Sequence, residues 1–142
     1  MATYSNLIST QIPQEDLKEI LGAIDFINRK LPELVVLSAE EKAALPKMKS
    51  NTIQFVHECL KLAKESPELV PKDVDVPEIK KDVDLVEGIT KILIPLKLLM
   101  KKLKHSKMLA ESEAYLPSLA IYNSNQHEIV KRQTKEEFKL KV

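Results

Sequence analysis

The sequence predicts an all-α protein, an antiparallel four-helix bundle with one extra short helix, and three observations carry that prediction. Apolar side chains recur at helical spacing along most of the chain. Eight prolines punctuate those stretches, while only two glycines occur in 142 residues. No segment with strand-like alternation has a partner segment to pair with.

The first helix is expected over about residues 13–31. Leu17, Ile20, Leu21, Ile24, Ile27 and Leu31 fall on one side of it, and Pro13 suits its start. Glu15 and Asp16 lie near that start, and Arg29 and Lys30 near the end, as the helix dipole favours. Pro32 stops it. Residues 34–37 are strand-like but partnerless, and are expected to cover the end of the bundle. Ser38 followed by Glu41 reads as a capping box opening a short helix through Leu45, closed by Pro46.

A second long helix is expected over about residues 50–66, with Phe55, Val56, Cys59, Leu60, Leu62 and Ala63 on its apolar half. Residues 67–77, divided by three prolines, read as an extended but ordered linker. The third helix is expected over about residues 77–104, bending at Pro95 without ending there. The fourth is expected over about residues 107–132 with a bend at Pro117. This gives one domain over residues 1–132 and a charged, mobile tail over 133–142.

Composition narrows the function. The formal net charge is +1, which gives no whole-molecule attraction to nucleic acid or acidic lipid. The single cysteine, Cys59, excludes an internal disulfide and any multi-cysteine zinc site, and fits a reducing compartment. No secretory signal precedes the first helix, and no apolar run approaches the roughly 20 residues of a membrane span. A cytoplasmic location is the expectation.

Residues 37–48 (LSAEEKAALPKM), residues 67–71 (PELVP), residues 112–115 (SEAY) and the pair Tyr122-Asn123 resemble segments of a family of small, uncharacterised bacterial proteins. The likeness spans roughly residues 10–130 and does not cover the tail. It implies a bacterial source and an all-helical fold, and it supplies no activity, because that family has no assigned function.

No catalytic or metal constellation is evident. The residues three before His57, His105 and His127 are Gln54, Lys102 and Ser124, so the Glu-x-x-His pairs of di-iron bundles are absent. Cys59 is expected to pack as a small core hydrophobe, with His57 pointing away from it. Gly22 and Gly88 are each isolated, so there is no phosphate loop. Neither a metal nor a cofactor is expected.

Lys97, Lys101, Lys102 and Lys104 sit among leucines without an acidic residue, a weak signal for an anionic surface. The helix dipole accounts for the same charges, since this helix starts acidic and ends basic. No aromatic residue lies in the run to stack on bases, so nucleic acid is not an expected partner.

The leading functional expectation is a non-enzymatic interaction protein that associates with itself or another protein. Ile94 and Leu98 fall on the otherwise basic side of the third helix, and Phe26 on the polar side of the first. These three residues are the expected interface of a homodimer. The alternative is a small-molecule binder. Tyr115, Tyr122, Asn123 and Gln126 share the inward side of the fourth helix, where polar groups must find partners. They form the expected ligand site.

Overall fold

The computed structural model describes residues 6–49 and 52–141, with side chains through Glu136. The protein is all-helical, and no strand occurs among the described residues. Five α-helices follow in order: α1 (Gln14–Lys30), α2 (Ala39–Ala44), α3 (Thr52–Glu65), α4 (Val76–Ser124) and α5 (Gln126–Lys141). The chain divides into two compact units. One is Ile12–Ile94, and the other joins the segment up to Gln11 with the chain from Pro95 onward.

In the first unit, α1 begins one residue after Pro13, which serves as its N-cap, and ends at Leu31, whose N–H donates to the Asn28 carbonyl. Its apolar stripe is present as the periodicity predicts, yet none of its residues is buried. Residues 34–37, expected to cover the end of the bundle, are all exposed, Val36 at 98%. The capping box of α2 is formed. Glu41 N–H donates to Ser38 Oγ at 3.1 Å, and Ser38 N–H donates to Glu41 Oε1 at 3.3 Å.

Packing among the described residues of this unit is sparse, and the half-buried positions of α3 and of the start of α4 mark where it occurs. The expected start of α3 at Ser50 lies outside the described residues. From Thr52 onward, half-buried Ile53, Val56, Leu60 and Ala63 recur at helical spacing. On α4, half-buried Val76 and Ile79 and the buried Val83, 6% exposed, form the matching stripe. The two run antiparallel. Ile53 shares a groove with Val86 and Thr90, while Lys64, at the other end of α3, shares one with Val76 and Pro77.

The connection between them departs from the extended linker expected over residues 67–77. Pro67–Leu69 forms a single 3-10 turn, with Val70 N–H donating to the Pro67 carbonyl at 3.1 Å. Asp75 then starts α4, its carboxylate accepting from Glu78 N–H at 3.2 Å.

The expected third and fourth helices are one helix. Pro95 and Pro117 both lie inside α4, and nothing interrupts it near His105. Lys104, His105, Ser106 and Lys107 are polar, but none is a helix breaker, so the backbone continues. The real break comes at Asn125. Its N–H donates to the Tyr122 carbonyl at 3.0 Å and its side-chain amide to the Ile121 carbonyl at 3.1 Å. α5 runs past the expected end at residue 132, through Lys141.

In the second unit, the segment before Gln11 is held to α4 by one carboxylate. Glu113 accepts from the backbone N–H groups of both Leu7 and Ile8.

Candidate functional site

Two kinds of surface merit weighing: a groove at the α4–α5 junction and the uncovered apolar stripes. The groove exists because Asn125 turns the chain. Ile129, whose N–H donates to the Asn125 carbonyl at 3.1 Å, comes to face the last turns of α4. An open groove of about 340 Å³ results, lined by Tyr115, Ser118, Leu119, Ile121, Tyr122 and Ile129.

Of the four residues expected to hold a ligand, the groove brings together Tyr115 and Tyr122. Asn123 and Gln126 are exposed and do not line it. Ser118 commits its single donor to the Ala114 carbonyl at 2.7 Å and keeps only acceptor capacity. Neither tyrosine hydroxyl bonds protein among the described residues, so two phenols stand at an otherwise apolar lining. That arrangement suits binding. It offers no acid–base pair, because no histidine or carboxylate joins it.

The three expected interface residues are all exposed: Phe26, Ile94 (68%) and Leu98. Lys30 lies over the Phe26 ring, its ammonium 5.5 Å from the centroid, so part of that ring is covered one helical turn on. Ile94 and Leu98 stand one turn apart on α4, both exposed.

Cys59 is exposed, correcting the expectation of a core thiol. The apolar half of α3 is wider than the strip that α4 covers. Ile53, Val56, Leu60 and Ala63 take that strip, and Cys59 stands outside it. His57, in contrast, finds a partner that periodicity did not reveal. Its Nε2 lies 3.1 Å from Glu87 Oε1 on α4.

The two flanks of the α3–α4 hairpin carry open grooves of about 510 and 740 Å³. Lys49, Glu87 and Lys91 rim the first, while Lys61, Lys64 and Lys80 rim the second, over apolar floors from both helices. Neither was legible in sequence, because each needs residues from two helices.

Lys97, Lys101, Lys102 and Lys104 are exposed and enter no ion pair among the described residues. Lys107 differs. Its ammonium stands 2.6 Å from Glu111, and that hydrogen bond, reinforced by the carboxylate charge, raises it above the ordinary lysine value. Among the described residues, no group of three His, Cys, Asp or Glu side chains is placed to hold a metal ion, and no helix is long and apolar enough to cross a membrane. Compared with family models, curated proteins and solved structures, the chain has no match.

Proposed function

We propose that this chain is a non-enzymatic interaction protein that works by helix-to-helix association, first of all with copies of itself. The observation that carries the reading is the amount of uncovered apolar surface. Val83 is the single buried hydrophobic residue among those described, while Leu17, Ile20 and Ile24 on α1, Phe55 and Leu62 on α3, and Leu99 and Leu103 on α4 stand exposed. Aliphatic side chains left open along three helices mark interfaces rather than free solvent-facing faces. On this reading the four-helix bundle expected from the sequence is completed between chains.

Sedimentation equilibrium over a wide concentration range tests it. Dimer or larger species, with helix content rising alongside them, is the expected result. A pure monomer at high micromolar concentration would overturn it.

A second reading rests on the groove between Tyr115, Tyr122 and Ile129, which suits a small amphipathic molecule with a polar group for the phenols. Native mass spectrometry of protein purified without denaturation should then show retained ligand mass. Ligand loss on Tyr115→Phe with Tyr122→Phe would assign it to this groove.

A further inference from the structure

The self-association just proposed has a specific seam available to it, and the inference here rests on that proposal. Along α1, Leu17, Ile20, Ile24, Ile27 and Leu31 are spaced by three, four, three and four residues. That alternation is the heptad pattern of a two-helix seam, in which these side chains take the core positions. The stripe is uncovered: Ile24, at its middle, is 52% exposed. Leu21, beside the seam, is exposed as well and widens it.

The charges beside the seam decide what covers it. Asp16, Ala23 and Lys30 occupy one flank and Gln14, Leu21 and Asn28 the other. The remaining charges lie farther round. Asp25 and Arg29 neutralise each other there at 3.1 Å. Asp16 has no ion-pair partner among the described residues.

We infer that α1 pairs with α1 of a second copy, antiparallel and centred near Gly22. In this register Leu17 meets the second copy's Ile27, and Ile20 meets its Ile24, each twice by symmetry. Asp16 of each copy then stands beside Lys30 of the other, small Ala23 beside Ala23, and Leu21 beside Leu21. Gln14 and Asn28, polar residues bordering an apolar stripe, come opposite each other. A parallel pair loses all of this. It sets Asp16 beside Leu21 and brings two acidic first turns together, with like charges and like dipole ends adjacent.

The full-length chain tests the pairing. Ile24→Glu places a charge in the seam and should weaken association at least about tenfold, with the far-UV helix signal of the single chain unchanged. Asp16→Lys should weaken association by roughly threefold to tenfold, and adding Lys30→Asp should restore it. In a Cys59→Ser background, a short bis-maleimide should bridge two copies of Ala23→Cys. It should not bridge Gln14→Cys, whose two positions lie roughly 24 Å apart in the antiparallel register at 1.5 Å rise per residue. A wild-type monomer at high micromolar concentration would overturn both this inference and the function it rests on. Association untouched by Ile24→Glu, or equal bridging through both cysteines, would overturn the α1 pairing alone.

Discussion

His57 Nε2 meets Glu87 Oε1 at 3.1 Å, tying α3 to α4 across 30 residues of sequence. Both side chains are about half exposed, so the pair fixes the hairpin's register more than it stabilises it. In a double-mutant cycle with His57→Ala and Glu87→Ala, the coupling should fall below about 1 kcal/mol by chemical denaturation. A coupling of several kcal/mol would mean that the pair is buried.

Val83 should be the most costly position for truncation in the α3–α4 hairpin. Val83→Ala removes two methyl groups from the buried position and is expected to cost about 1–2 kcal/mol. Val36→Ala, at a 98% exposed position, should stay within about 0.5 kcal/mol. Urea titrations of the two variants compare them directly, and a reversed order would contradict the observed burial.

Ser38→Ala removes one half of the α2 capping box and leaves Glu41 N–H without its acceptor. The local cost should be about 1 kcal/mol, seen as roughly fivefold faster hydrogen exchange at Glu41. Because α2 buries no side chain, the global unfolding midpoint should not move.

Lys107 should titrate above the ordinary lysine value, because it donates to Glu111 and feels that carboxylate's charge. A raised value in the folded chain means that the contribution is full below the unfolded value and lost as pH climbs through the raised one. The contribution is therefore full at neutral pH and disappears only at alkaline pH. Glu111→Gln should bring Lys107 back toward the ordinary value in an NMR titration, and an unmoved titration would show that another group is responsible.

Local signals were legible where a single helix contains both partners. The α1 stripe, the Ser38–Glu41 box and the Pro32 stop depend on residues within one or two turns. Readings that needed a second element went astray. Cys59 was placed in a core because α3 has a wide apolar half, and only α4's actual position shows that the covered strip misses it. The boundary drawn near His105 mistook a polar stretch for a link, although helix hydrogen bonding is indifferent to polarity there. Asn125 supplied the break instead, by turning its amide back onto Ile121. Tyr115 and Tyr122 share one groove because they lie two turns apart on α4. Ile129, which completes their groove, reaches it only through that turn.

The scarcity of buried side chains also sets how sharply one copy can melt. Heat-capacity change and denaturant sensitivity both scale with the surface newly exposed on unfolding. With Val83 the one buried hydrophobic residue among those described, one copy exposes less new surface on unfolding than a chain with a packed core. Its stability curve is correspondingly flat and its transition broad in temperature and in urea. On the proposed pairing, covering the α1 stripe adds buried area to the folded state, and the transition should sharpen as concentration rises. The steepness of unfolding, and not just its midpoint, then becomes a gauge of how many chains are folding together.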